Sequence, residues 1–245
     1  MDKLTPRAVI FDLGSTLIEY PSSIWDELSD QCVSAARAHL AGLGVELPDD
    51  ETFRDAYHLL RDELRMTAAE TLVEWSVDQL TQKLLSQFGV EPTAELVEAF
   101  FDAYYERVRP HVHAFDDTRE VLAAVQSRYG TVGLVSNTIF PERAHLDELD
   151  RFGLAPYFSF MVFSSTFGLR KPHADIFYHA ANLAGYAPAE CVYVGDRHYE
   201  DVEGPSGVGM PAVLKWHPQR EYPDFGAERP RQVTSLSELS DHFDF

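Results

Sequence analysis

The spacing of apolar residues changes character twice along the chain. Ala8-Val9-Ile10-Phe11 is an unbroken apolar run, short and without polar alternation, which predicts a strand buried on both faces. It stops at Asp12, and the small residues Gly14, Ser15 and Thr16 follow. From about residue 22 to 109 the period becomes helical. Trp25, Leu28, Cys32, Ala35, Ala36 and Leu40 form one stripe. Phe53, Tyr57, Leu60 and Leu64 form a second, opened by Asp49-Asp50-Glu51, because acids suit a first turn. Leu72, Trp75, Leu80, Leu84 and Phe88 predict a third helix stopped at Gly89. Leu96, Phe100, Tyr104 and Val108 predict a fourth, ended by Pro110. Four helices with short connections read as a small bundle.

After that, strand and helix alternate. Buried strands are predicted at Thr131–Val135 (ending at Ser136), Phe160–Phe163, Cys191–Val194 (ending at Gly195-Asp196) and Pro211–Leu214. Helical stretches fall at about 117–129, 141–151, 173–184 and 199–206. Such alternation predicts an α/β fold with a doubly wound, Rossmann-like parallel sheet. The expected organisation is a core domain of residues 1–18 and 110–245, interrupted by an inserted four-helix domain of residues 19–109.

Composition narrows the setting. With 45% hydrophobic and 24% charged residues, the chain has an ordinary globular balance, which excludes disordered and low-complexity classes. Two cysteines, Cys32 and Cys191, are too few for a disulfide framework or a cysteine-based zinc site. No apolar run approaches the roughly 20 residues of a membrane span, and no signal-peptide region opens the chain, so a cytoplasmic protein is expected.

Charge changes the picture more. Forty acids against twenty bases leave −20, and only four of the bases are Lys. Such a surface repels nucleic acid and anionic membranes, so neither is expected as a partner. Excess carboxylate with scarce Lys also resembles the proteins of salt-loving organisms. In molar salt the Debye length falls to about 3 Å, and self-repulsion is screened. The segment 19–109 carries 19 acids to 7 bases, so most of the excess lies there.

In open parallel sheets, ligands sit beyond the carboxyl ends of the strands. The residues that leave the apolar runs there are Asp12, Ser136-Asn137 and Gly195-Asp196, with Lys171 in a loop before a helix. Carboxylates at one edge suggest a metal; a Lys and a hydroxyl beside them suggest a metal-bound anion.

This arrangement resembles the haloacid dehalogenase (HAD) superfamily, mostly Mg²⁺-dependent phosphatases. Its first motif, a strand followed by Asp-x-Asp-x-Thr, is matched by Asp12-Leu13-Gly14-Ser15-Thr16. A strand ending in Ser or Thr is matched by Ser136, and the family's Lys by Lys171 in Arg170-Lys171-Pro172. Gly-Asp-x-x-x-x-Asp is matched from Gly195-Asp196 to Asp201. The order of the motifs, and the helical segment after the first strand, are those of members with a type-1 cap.

The resemblance implies a catalytic pair. Asp12 would be the nucleophile that forms an aspartyl-phosphate, and Lys171 would neutralise Asp12 and the phosphoryl oxygens. Mg²⁺ would be held by Asp12, Asp196 and the backbone carbonyl of Gly14. Asp201 would stand behind them, as a ligand through water or as a partner of the ligands. Thr16, Ser136 and Asn137 would donate hydrogen bonds to the phosphoryl oxygens of a small phosphorylated substrate.

One residue departs from the pattern. The family's second Asp, which protonates the leaving group and activates water, is Gly14 here. Either another group such as Glu19 or a His replaces it, or the leaving group needs little help, or the chain is a weakly catalytic or non-catalytic module that binds phosphate or a partner. A dehalogenase acting on a carbon–halogen bond is a further alternative. The acidic Gly195-Asp196 motif weighs against it, since dehalogenases of this family work without Mg²⁺.

Overall fold

The computed structural model describes residues 2–20, 25–226 and 229–245, apart from the side chain of Asp26. Residues 21–24, where helical spacing begins, lie outside them. Strand β1 (Ala8–Phe11) is fully buried. Val9 and Phe11 pack on one face of the sheet, with Val121, Leu122 and Val125. Ala8 and Ile10 pack on the other, with Ile176, Phe177, Ala180 and Ala181. Both faces are covered, which is why the run has no polar alternation.

The first helical segments are α1 (Trp25–Gly42), α2 (Asp50–Thr71), α3 (Val77–Gln87) and α4 (Ala94–Val108). They lie between the short strands β2 (Ile18–Glu19) and β3 (His113–Ala114), which pair antiparallel. The remaining order is α5 (Thr118–Tyr129), β4 (Val132–Ser136), α6 (Glu142–Arg151), β5 (Phe160–Phe163), α7 (Ser164–Phe167), α8 (Ala174–Ala184), β6 (Cys191–Gly195), α9 (Gly204–Gly207), β7 (Ala212–Lys215) and β8 (Arg231–Val233). Six strands form a parallel sheet in the order β5-β4-β1-β6-β7-β8. The sheet is an α/β doubly wound one, as expected. Its register sets Phe11 opposite Leu134 and Val194, so the chain leaves β1, β4 and β6 at one common edge.

Three local expectations are corrected. The third helix does not begin near Leu72. Helix α2 runs on to Thr71, and Leu72 takes a left-handed conformation (φ 57°) that closes it, with its N–H donating to the Ala68 carbonyl. A new start follows at Ser76, whose hydroxyl accepts from the Gln79 N–H while Gln79 accepts from the Ser76 N–H. Leu72 and Trp75 therefore belong to a link, which runs beside the Gly168–Arg170 loop through the bonds Glu74 N–H to Gly168 O and Arg170 N–H to Leu72 O.

The stretch predicted as helix over 199–206 is a π-helical turn, His198–Glu203, leading into α9. Such turns are rare and recur at functional sites. Strand β8 was not expected. Its three residues have no apolar period, and pairing with β7 (Gln232 opposite Leu214) is what extends them.

Candidate active site

Asp12 is held at the end of β1 by its N–H, which donates to the Val194 carbonyl of β6 at 2.8 Å. The chain then coils tightly: the N–H groups of Thr16, Leu17 and Ile18 all donate to the Leu13 carbonyl. Ser15 sits at φ 61° in that coil. The result brings Thr16 back beneath Asp12, where its Oγ1 donates to Asp12 Oδ2 at 3.1 Å. Asp12 is 6% exposed and Thr16 fully buried.

Lys171 reaches the same carboxylate from across the sheet. Its Nζ donates to Asp12 Oδ1 at 2.7 Å, Asp201 Oδ1 at 2.6 Å and the Tyr193 hydroxyl at 2.8 Å. Tyr193, buried in the middle of β6, donates its own hydrogen bond to the Val135 carbonyl. All three donors of the ammonium are thus matched. Burial works against its charge, but the carboxylates of Asp12 and Asp201 outweigh burial and hold its pKa well above the usual lysine value. The loop is fixed by Asn137, whose Oδ1 accepts from the Lys171 N–H at 2.8 Å and whose Nδ2 donates to the Lys171 carbonyl at 2.9 Å.

Asp196 follows β6 and is 1% exposed. Its Oδ2 accepts from Arg220 Nε at 2.6 Å, and its carbonyl from the Tyr222 hydroxyl at 2.8 Å. Asp201, on the π-helical turn, is fully buried; its Oδ2 accepts from the Arg197 N–H at 2.9 Å. It packs so closely on Gly195 that a Cβ there would lie 2.4 Å from the Asp201 carboxyl carbon. Only glycine fits between β6 and this carboxylate.

Asp12, Asp196 and Asp201 can each present an oxygen within 4.8 Å of the others. The pKa of Asp196 is raised by burial and then by the charge of Asp12, against the pull of Arg220. That of Asp201 is raised by burial, with Asp12 and Asp196 adding to it and Lys171 opposing. Burial thus raises two of the three carboxylates, Asp196 and Asp201, and a further positive charge beside them would oppose that shift. Hard oxygen donors so arranged fit a divalent cation of the Mg²⁺ kind.

The residues anticipated from the motifs therefore gather at one edge of the sheet. Ser136 ends β4, 4% exposed and with no hydrogen-bond partner for its hydroxyl among the described residues. Gly14 lies in the coil after Asp12, bridged to Ile18. Two of the three expected phosphoryl donors are already engaged: both polar atoms of the Asn137 side chain bond the Lys171 backbone, and the Thr16 hydroxyl donates to Asp12.

Sequence reading missed Tyr193, Arg220, Tyr222 and Tyr20. A Tyr inside a fully buried strand must find a partner for its hydroxyl, and that signal was available for Tyr193. The search at strand ends, extended past β7, would have reached Arg220. Nothing local marks Tyr20, whose ring packs on Gly14 and whose hydroxyl donates to the buried Glu148 at 2.7 Å.

The family model of the haloacid dehalogenase-like hydrolases matches residues 6–209. The chain belongs to this family. As a HAD-like hydrolase it is 28% identical over 240 residues to a glyceraldehyde 3-phosphate phosphatase of Methanopyrus kandleri, covering 94% of this chain and 96% of that one. Among solved structures, a HAD phosphatase from Thermococcus onnurineus superposes with a TM-score of 0.64 at 21% identity, covering 97% of this chain and 99% of that one. A 2-haloacid dehalogenase from Pseudomonas syringae superposes with a TM-score of 0.66 at 23% identity, covering 96% and 97%. The HAD-like fold is thus shared with a phosphatase and a dehalogenase alike, and the chemistry must be read from the site.

Proposed function

We propose that this HAD-like hydrolase is a Mg²⁺-dependent phosphatase of a small phosphorylated metabolite. The observation that carries the reading is the convergence of Asp12, Asp196 and Asp201 on one buried point, with Lys171 bonded to two of them. A dehalogenase has no use for such a concentration of carboxylate. The likeness to a protein named as a phosphatase, over nearly the whole length of both chains, supports the same reading.

Asp12, Asp196 and the Gly14 carbonyl would hold the ion, with Asp201 behind them. When bound, Mg²⁺ supplies countercharge that lets a carboxylate approach a phosphate dianion. Asp12 attacks phosphorus, the P–O bond to the leaving group breaks, and an aspartyl-phosphate forms on its carboxylate. Water then attacks that phosphorus, releasing inorganic phosphate and restoring Asp12. Lys171 stays beside Asp12 and neutralises charge as it shifts onto the phosphoryl oxygens. Ser136 donates to those oxygens, while the Thr16 hydroxyl holds Asp12 Oδ2 and Asn137 positions Lys171. In this reading residues 19–109 form the cap that closes over the substrate and excludes water, and residues 1–18 and 110–245 the core.

Gly14 favours a second reading, a phosphate-binding module without turnover, because no carboxylate stands where the family's acid/base would be. Retention of Asp12 weighs against it, since a pure anion binder gains nothing from a nucleophilic carboxylate beside its ligand. Hydrolysis of an aryl phosphate by wild type and Asp12→Asn, each with Mg²⁺ or EDTA, tests the choice. Activity that needs both Mg²⁺ and Asp12 is expected. Folded wild-type protein that binds vanadate or phosphate yet consumes no ester would establish the binding module instead.

A cytoplasmic location is part of the reading. Both cysteines are buried and unpaired, and no helix among the described residues is long and apolar enough to cross a membrane. The acidic surface extends it to a salt-adapted enzyme.

A further inference from the structure

Arg220 belongs to none of the motifs, yet its guanidinium lies against one of the three carboxylates. Its Nε donates to Asp196 Oδ2 at 2.6 Å, and an NH2 group to Ser15 Oγ at 3.3 Å, in the coil that follows Asp12. The two carboxylates beside Lys171 already share that ammonium. Arg220 is therefore the positive charge that answers the third. Lys171 is 2% exposed and bonded on three sides, so it is a fixed part of the floor. The Arg220 side chain is 28% exposed, at the rim of a cavity of about 510 Å³ lined also by Asp196, Arg197, His198 and Tyr222.

The segment that carries Arg220 leaves the sheet at the end of β7 and has no regular structure from Trp216 to Tyr222. The Trp216 N–H still donates to the Val233 carbonyl of β8 at 2.7 Å and the Arg220 N–H to the His217 carbonyl at 3.1 Å; beyond these, side chains hold the segment down. The Tyr222 hydroxyl donates to the Asp196 carbonyl at 2.8 Å and accepts from the His217 N–H at 2.9 Å. His217 Nε2 lies 2.6 Å from Glu19 Oε2 on β2. The Trp216 ring packs on Tyr222 with 4.2 Å between centroids. A guanidinium is a bulky cation with directional donors, whereas Mg²⁺ requires carboxylate oxygens at about 2.0–2.1 Å in an octahedron. Arg220 withdraws Asp196 Oδ2 and leaves Oδ1 to a metal, but two cations at one carboxylate repel.

We propose that Arg220 is the resident counter-cation of the metal carboxylates: a divalent ion binding at Asp196 expels its guanidinium, and the 216–222 segment moves with it. Metal occupancy is then coupled to the shape of the cavity mouth, because the segment ties Asp196 to Glu19 of β2. The inference rests on the metal-dependent reading of the site. It makes Arg220 a residue that acts on the site through Asp196, and Trp216 its natural reporter.

The test is a titration of full-length wild type, Arg220→Met and Arg220→Lys with Mg²⁺ by calorimetry and with Mn²⁺ by electron paramagnetic resonance, at pH 8. Circular dichroism confirms that each variant is folded. Removing the competing cation is expected to tighten metal binding roughly tenfold or more, the worth of one hydrogen bond between charged groups. Arg220→Lys, which keeps the charge but cannot bridge Asp196 and Ser15, is expected to fall between. In wild type, saturating Mg²⁺ is expected to change Trp216 emission with the calorimetric midpoint, and Trp216→Phe to abolish that change.

Equal or weaker metal binding by Arg220→Met would overturn the inference while leaving the metal-dependent reading intact. So would a wild type that binds Mg²⁺ with no change in Trp216 emission. Binding by Arg220→Met alone would support it in its strongest form. Absence of binding in every variant would overturn both readings together.

Discussion

The Tyr20 ring lies over Gly14, with two of its carbons 3.4 Å from the point at which a side chain at position 14 would begin. Its hydroxyl is turned away, donating to Glu148, which also accepts from Tyr105 of α4, and lying 3.2 Å from His145 Nδ1. The space that an acid/base Asp would enter is thus walled by a phenol committed elsewhere. A separation of 3.4 Å is close but tolerable, so an Asp can be placed there with a small shift of the ring.

Gly14→Asp is therefore expected to fold and to raise turnover of alkyl phosphates by up to about 10²-fold, the usual worth of general acid–base help. Aryl phosphates, whose leaving groups need little protonation, are expected to change far less. Steady-state kinetics on a series of leaving groups checks this. An equal gain across the series would show that protonation of the leaving group does not limit the rate.

Lys171 is the only cation in contact with two of the three carboxylates among the described residues. Lys171→Met is expected to cost about 3–5 kcal/mol, since it strands buried negative charge. Adding Asp201→Asn should return part of that loss without restoring activity. Urea denaturation of the single and double variants measures the coupling. A single variant as stable as wild type would mean that the ammonium does not hold this cluster together.

Asn137 separates positioning from substrate contact. Its side chain bonds the Lys171 backbone at both ends, so Asn137→Ala is expected to lower kcat and to cost about 1–3 kcal/mol in stability, with little change in KM. Asn137→Asp keeps the acceptor but sets a carboxylate against the Lys171 carbonyl, and should be the worse of the two. A rise in KM at constant kcat would instead make Asn137 a direct substrate ligand.

Gly195→Ala directs a methyl group into the Asp201 carboxyl, with an overlap that a buried turn cannot relieve cheaply. Loss of stability is expected together with weaker Mg²⁺ binding, because Asp201 and Lys171 must move as one. A variant with lowered Tm but unaltered metal affinity would remove Asp201 from the metal's surroundings.

Salt should stabilise the chain. At −20, with 19 acids against 7 bases in residues 19–109, self-repulsion is expected to weaken as the Debye length shrinks toward about 3 Å in molar KCl. A Tm that rises steadily from dilute buffer to about 2 M KCl is the expected result; a flat or falling curve would rule out salt adaptation.

The sequence by itself determined five of the six strands of the sheet, most of the flanking helices and the edge at which chemistry gathers. Strands buried on both faces require unbroken apolar runs, and Asp12, Ser136 and Asp196 are legible as the first polar residues after such runs. Helix starts were legible where capping is local, as at Asp49. The apolar spacing of Leu72 and Trp75 sets the third helix too early, because its start is decided by the reciprocal Ser76–Gln79 bonds and not by periodicity.

Tertiary structure alone decided who touches whom within the site. Lys171 meets Asp12 across 159 residues of chain, Arg220 meets Asp196 from an irregular segment, and Tyr20 covers Gly14 from just after β2. Periodicity reports which face of an element is buried. It carries no information on which polar atom from a distant segment will satisfy another, because that is set by how closely packed elements bring their donors and acceptors together. Asn137 illustrates the difference: its place at a strand end was readable, but its engagement with the Lys171 backbone follows from the packing of two loops.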